Sequence, residues 1–227
     1  GCGKSSLGRA LLRLVPLARG EVRWQGRDLA PLRGAELRRL RADLQIVFQD
    51  PLASLDPRMT IGQSVAEPLE VHRPELGRAA VRERVGAMLA RVGLGPELHD
   101  RYPHEFSGGQ CQRVGIARAM ILEPKLVVCD EPVSALDVSV QGQLVELLRD
   151  LQRERGTALV FISHNLAVVR RLCRRVLVMY LGRTMELAPG EDFYRAPLHP
   201  GSRLLLDALP VPGPRVECGR PPLAAGE

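Results

Sequence analysis

The first six residues, Gly1-Cys2-Gly3-Lys4-Ser5-Ser6, run straight into a leucine-rich stretch with helical spacing. Glycines let successive backbone N–H groups curl around an anion, and a helix N-terminus adds positive potential there. The stretch matches the last part of G-x-x-x-x-G-K-[ST]. In that pattern the lysine reaches the β- and γ-phosphates and the first hydroxyl ligates Mg²⁺. Taken alone, the same residues are also a glycine turn followed by a helix cap. A second group follows far downstream: Leu126-Val127-Val128-Cys129-Asp130-Glu131, an apolar run that ends in two carboxylates. Ligands of parallel sheets sit beyond the carboxyl ends of the strands, so Asp130 is placed to meet Mg²⁺. Glu131 beside it is placed to accept a proton from an attacking water. The competing reading is a strand leaving the core into a polar turn.

A third group is Ser107-Gly108-Gly109-Gln110, preceded by Phe106 and leading into helical sequence through Leu122. Serine and two glycines at a helix start make a second anion nest, or an ordinary serine N-cap after a turn. One nucleotide has no use for two nests in one chain. The second nest then serves a nucleotide held by another subunit, and the site is completed by dimerisation.

These groups need a scaffold, and the pattern between them supplies one. Ser5–Val15 reads as a helix ended by Pro16, and Glu21–Asp28 as a short strand pair around Gly20 and Gly26. Leu44–Phe48 is a compact apolar run broken by Gln49-Asp50-Pro51. Val65–Val92 has helical spacing, interrupted at Pro68 and Pro74. Leu126–Cys129, Ala158–Ile162 and Val176–Met179 read as buried strands of one parallel sheet. Val138–Arg155 and Leu166–Leu172 read as the helices between them. This alternation predicts an α/β fold with a mostly parallel sheet. From about Ala188 the pattern dissolves into proline-rich sequence, including Pro210, Pro212, Pro214, Pro221 and Pro222.

Composition narrows the class. A length of 227 residues with 45% hydrophobic content fits one sizeable domain with a small appendage. No apolar run approaches the roughly 20 residues that span a bilayer, and the chain reads as soluble and cytoplasmic. The 32 basic and 26 acidic residues leave +6, which raises nucleic acid as a partner. The arginines are dispersed and aromatics are only 4%, too few for stacking single strands, so no nucleic acid is expected. Five scattered cysteines make neither a zinc ribbon nor a disulfide framework. Cys2 and Cys111, beside the two nests, read as small neutral fillers rather than activated thiols.

On these residues the chain resembles the ATP-binding subunits of ABC transporters over nearly its whole length. Ser107–Gln110 corresponds to the family's signature motif, Gln49 to its Q-loop, Ser134-Ala135-Leu136-Asp137 to its D-loop and His164 to its switch histidine. The resemblance implies a RecA-like P-loop NTPase core, with a mostly parallel sheet and a small antiparallel β part. It also implies an ATPase domain over 1–187, an inserted helical subdomain over about 64–117 and a C-terminal extension over 188–227. ATP phosphates would lie on Lys4, Ser5 and the backbone from Gly1 through Cys2 and Gly3 to Ser6. Mg²⁺ would be held by Ser5, Gln49 and Asp130. Glu131 would be the general base, and His164 would contact the γ-phosphate. Gln49 would sense metal and water while linking to the membrane partner. Ser107, Gly108, Gly109 and Gln110 would grip the ATP of a second ABC subunit, with Asp137 at that interface. The implied partners are this second subunit (a copy or a relative), transmembrane permeases and, indirectly, an extracytoplasmic solute-binding protein. The implied location is the cytoplasmic face of the inner membrane.

Gln49–Pro57 and Ala196–Pro200 with Leu204–Pro210 resemble the oligopeptide and dipeptide importer subfamily, except that Gly201 stands where an aromatic is expected. Peptide import is therefore the expected function; nickel, glutathione or an antimicrobial peptide are alternative cargoes, and a nucleotide-binding scaffold subunit is another reading. Cys218 alone is too few thiolates for an iron–sulfur cluster, so none is expected. The chain opens inside its first motif, without the preceding strand, and is expected to bind ATP poorly as it stands.

Overall fold

The computed structural model describes residues 2–134 and 136–208. The chain opens with α1 (Lys4–Leu11), followed by a hairpin of β1 (Arg23–Trp24) and β2 (Arg27–Asp28). Next come α2 (Gly34–Asp43), β3 (Leu44–Val47), α3 (Ile61–His72), α4 (Arg78–Arg91) and α5 (Gly108–Met120). The second half alternates strand and helix: β4 (Leu126–Asp130), α6 (Val138–Arg155), β5 (Ala158–Ile162), α7 (Leu166–Leu172) and β6 (Arg175–Tyr180). It finishes with β7 (Arg183–Pro189), α8 (Gly190–Arg195) and α9 (Pro200–Asp207).

Strands β3, β4 and β5 form a parallel sheet in that order, with Leu44 beside Leu126 and Leu126 beside Ala158. Side chains alternate between the two faces of a strand, and this register carries the alternation across the sheet. Val47, Val127 and Cys129 point into a core shared with α3, α5 and α6, with Leu159 and Phe161 packed at its edge. Leu44, Val128 and Ile162 point into a second core with Leu12, Leu29 and Leu32. Helix α1 lies on this second face, against β4 and β5. Gly8 permits that approach: a Cβ there would stand 2.9 Å from Ile162 Cδ1 and 3.0 Å from Val128 Cγ1.

The short strand pair forms as expected, its turn made by Gln25 and Gly26 in the left-handed region (φ 48° and 81°). Four expectations need correction. The first helix stops at Leu11, not Val15, and Arg13 turns the chain away in the left-handed region (φ 56°). Pro68 sits inside α3 without ending it; the break lies between His72 and Arg78. The apolar run at Val176–Met179 joins no parallel sheet among the described residues. It lies in β6, which pairs antiparallel with β7 across a two-residue turn, Leu181 and Gly182 (φ 45° and 77°). Such a turn folds the chain straight back on itself, whereas a parallel neighbour can be reached only through a long crossover. Finally, regular structure continues past Ala188 to Asp207. Pro189 and Pro200 stand at the N-cap of α8 and the first turn of α9, where a missing N–H costs nothing. Cys218 and the prolines from Pro210 onward lie outside the described residues. Helix α2, unread in the sequence, buries no residue fully, and half of its residues are charged. Among the described residues no helix is long and apolar enough to cross a membrane.

Two of the cysteines fill the main core. Burial pushes the Cys111 thiol up, and Sγ leans on Pro103 O at 3.6 Å. Burial, with Cys173 nearby, pushes Cys129 up to about 12. Iodoacetamide at pH 8 should therefore label Cys111 and Cys129 only after denaturant is added. Labelling of either in the native protein at the unfolded rate would contradict this packing. At Gly8 the outcome depends on which of two magnitudes is larger. Alanine gains about 1 kcal/mol of helix propensity and loses about 1–3 kcal/mol by overpacking. Gly8→Ala should lower the urea midpoint and Gly8→Val should lower it further; a raised midpoint in Gly8→Ala would show that the sheet yields.

Candidate functional site

Four chain segments converge where the parallel strands end. The start of α1 brings Lys4 and Ser5. Gln49 lies two residues past β3, Asp130 ends β4, Glu131 follows it, and His164 lies two residues past β5. Asp130 falls on the same face of β4 as Val128, the face that α1 covers. The period of two therefore aims its carboxylate at the first turn of α1. Ser5 Oγ donates to Asp130 Oδ1 at 2.7 Å, and Asp130 is only 1% exposed.

Glu131 breaks that period. Its φ of 47° is in the left-handed region, which few residues other than glycine adopt. The surroundings hold it there: its N–H donates to Ile162 O (3.0 Å), and its carbonyl accepts from Ser134 N (3.2 Å) and Ser134 Oγ (3.1 Å). Strain held by several neighbours in this way is typical of functional positions. The turn delivers the carboxylate between the ends of the flanking strands. Gln49 Nε2 donates to Glu131 Oε2 at 3.3 Å, and His164 Nδ1 lies 3.4 Å from the same oxygen. Glu131 is mostly enclosed while His164 is largely open to solvent.

The N-terminus of α1 presents donors. Its N-cap, Gly3, is left-handed (φ 89°) and offers no side chain to cap the first turn. The backbone N–H groups there are available to an anion. Lys4 forms no ion pair with a carboxylate among the described residues; its ammonium rests 3.4 Å from Cys2 Sγ. Cys2 O accepts from Gly182 N at 3.1 Å, which anchors the loop to the β6–β7 turn. Ser6 is exposed, and Gly1 lies outside the described residues. Ser5 and Asp130 are hard oxygen donors, as Mg²⁺ prefers. Among the described residues no group of three or more His, Cys, Asp and Glu forms a metal cage. Mg²⁺ shared between one or two protein oxygens and substrate phosphates requires none. The donor set fits the ion.

The second nest stands apart. Ser107 caps α5: its hydroxyl accepts from Gln110 N (3.3 Å), and its own N–H donates to Gln110 Oε1 (2.9 Å). Among the described residues no hydrogen bond joins Ser107, Gly108, Gly109 or Gln110 to Lys4, Ser5, Gln49, Asp130, Glu131 or His164. Instead the nest leans on the loop after β4. Leu136 Cδ2 lies 3.9 Å from a Cβ built on Gly108, and Val140 Cγ1 2.9 Å from one on Gly109. Asp137 is the N-cap of α6 but makes no side-chain capping bond. Two contacts escaped the sequence reading, one made by Ser134 of the D-loop match and one by Asn165. Ser134 fixes the Glu131 turn, and Asn165 caps α7 by accepting from Ala167 and Val168 N–H. Asparagine directly before an apolar helical run is an N-cap signal, and it could have been read at Asn165.

The ABC transporter family pattern matches residues 1–134, a span holding both nests and both carboxylates. The chain is 58% identical over 217 residues to the oligopeptide transport ATP-binding protein OppF of Salmonella typhimurium (strain LT2), covering 96% of this chain. It spans 65% of the length of that relative. It is 54% identical over 214 residues to the glutathione import ATP-binding protein GsiA of Pectobacterium atrosepticum, covering 94% of this chain and 34% of that protein. In structure it is similar to the dimeric post-hydrolysis state of the ATP-binding cassette MJ0796 bound to ADP and Pi. That likeness has a TM-score of 0.75 and 29% identity over 83% of this chain and 81% of the other. The fold is a P-loop NTPase core of the ABC type, and the chain belongs to the ABC transporter family.

Proposed function

We propose that the chain is the ATP-hydrolysing subunit of an ABC importer for oligopeptides, with residues 1–187 as the ATPase domain. In this reading residues of about 64–117 form its helical subdomain and 188–227 a C-terminal extension. The observation that carries it is the convergence of Gln49, Glu131 and His164 beside the Ser5–Asp130 pair. Together with Lys4 and the loop before it, that group is suited to the parts a hydrolysis site needs. Lys4 and the free N–H groups from Cys2 to Ser6, with Gly1, hold the phosphates. Ser5, Asp130 and Gln49 hold Mg²⁺, which supplies charge neutralisation on the phosphate oxygens when bound. Glu131 takes the proton of the attacking water, its carboxylate oriented by Gln49 and His164. His164, exposed on its other side, meets the γ-phosphate. The remaining contribution is positioning and electrostatic stabilisation of an in-line attack.

Ser107, Gly108, Gly109 and Gln110 close on the nucleotide of a second ABC subunit, and Asp137 lies at that junction. Their separation from this chain's own phosphate loop supports a dimer. The dimer works on transmembrane permeases from the cytoplasmic face of the membrane, and a solute-binding protein delivers cargo from the other side. Oligopeptide cargo rests on the 58% identity with OppF. The 54% identity with GsiA favours glutathione as the second reading.

In the complete protein, reconstituted with its permeases in proteoliposomes, Glu131→Gln should lower ATP turnover by about 100-fold or more, a typical worth of a general base. Nucleotide binding should persist. Undiminished turnover would remove Glu131 from the role of base. Stimulation of the unmodified complex by oligopeptides and not by glutathione selects the first cargo, and the opposite pattern selects the second.

A further inference from the structure

The side chain of Gln141, on the first turn of α6, lies between the loop after β4 and the loop after β5, which also meet where His164 Nδ1 stands 3.4 Å from Glu131 Oε2. Its Nε2 donates to Leu136 O at 2.8 Å, and its Oε1 accepts from Asn165 Nδ2 at 3.4 Å. Its backbone N–H donates to Asp137 O at 2.8 Å, so the residue that makes the bridge is itself tied to the helix start. Each end of the bridge is firmly held. Leu136, whose carbonyl takes the first bond, is the residue whose methyl backs Gly108 and Gly109. Asn165 spends its Oδ1 on Ala167 and Val168 N–H, and its own N–H on Ser163 Oγ at 2.9 Å. It directly follows His164, whose ring lies 3.4 Å from Glu131.

An amide suits this position. Gln offers a donor and an acceptor on one rigid plane; a carboxylate accepts only, and an aliphatic chain does neither. Both bonds use the same amide plane, so one side-chain group ties Leu136 to Asn165. A continuous set of contacts thus runs from the Ser107 nest through Leu136, Gln141 and Asn165 to His164 and Glu131.

We propose that Gln141 is a positioning residue that makes hydrolysis at this chain's own site depend on whether its Ser107–Gln110 segment has engaged the other subunit's nucleotide. This rests on the reading under Proposed function. Spatial continuity alone does not establish coupling; non-additive mutations do.

The test uses the complete protein with its permeases. Gln141→Leu should reduce kcat about 10-fold, a size usual for residues that act through one hydrogen-bond network. It should also flatten the ATP dependence towards a Hill coefficient of 1, with KM for ATP within about twofold of the unmodified protein. Asn165→Ser keeps a capping oxygen for α7 and loses the amide donor, so it should reproduce both effects. It also serves if Gln141→Leu does not fold. Either substitution added to His164→Ala should cost nothing further. Full additivity with His164→Ala, or an unchanged kcat in both single variants, overturns the coupling while leaving the ATPase reading intact. Unchanged turnover in His164→Ala alone overturns the reading itself, and the coupling with it.

Discussion

A helix that offers its first turn to phosphate must deliver that turn to the carboxyl end of a strand, within hydrogen-bond reach of a carboxylate. Here the delivery depends on how close α1 comes to the sheet, and Gly8 sets that distance. With no side chain between helix and strands, α1 settles on Val128 and Ile162. Ser5, almost one turn earlier, then meets Asp130. A larger residue at that point would lift the helix and pull the hydroxyl away from its partner. The chemistry at the tip is thus held by packing in the middle of the helix.

The register of the sheet distributes the other groups. Three adjacent parallel strands end level with one another, so short extensions from each arrive at one place: Gln49 from β3, Glu131 from β4, His164 from β5. Two neighbouring carboxylates would ordinarily point to opposite faces. The left-handed backbone at Glu131 lets Asp130 serve the helix while Glu131 serves the gap between loops. A backbone cost at one residue separates the contacts of two carboxylates that sequence places side by side.

Much of this was legible in the amino-acid sequence because strong local patterns were bounded by strong breakers. Ala158–Ile162 lies between Gly156, which closes α6 in the left-handed region, and the Ser163–Asn165 turn, and both ends came out as expected. Val138–Arg155 and Leu166–Leu172 did likewise. What stayed hidden depends on partners rather than on local pattern. The run at Val176–Met179 contains nothing that distinguishes a parallel neighbour from the antiparallel one it has. Helix α2 announces itself only weakly, through Leu37 and Leu40 half-buried against the second core. Glu131 could be nominated from its place after an apolar run, and Gln49 and His164 from the family resemblance, but their meeting on one oxygen is a property of register. Gln141 could not be nominated at all. An amide on a helix's first turn resembles any surface residue until two distant loops close around it.

The bond from Gly182 N–H to Cys2 O has a consequence for the order of assembly. The loop at Cys2 is synthesised before the residue that anchors its backbone, which follows 180 positions later (2 to 182). At the usual 5–20 residues per second of synthesis, that is a wait of roughly 10–40 s. Asp130, the partner of Ser5, is itself 125 residues away from it. Contacts of such long range form late, because loop-closure entropy must be met before they contribute. The turn at the start of α1 is thus made well before β4 and the β6–β7 turn, and its two long-range tethers can close only after both have been synthesised.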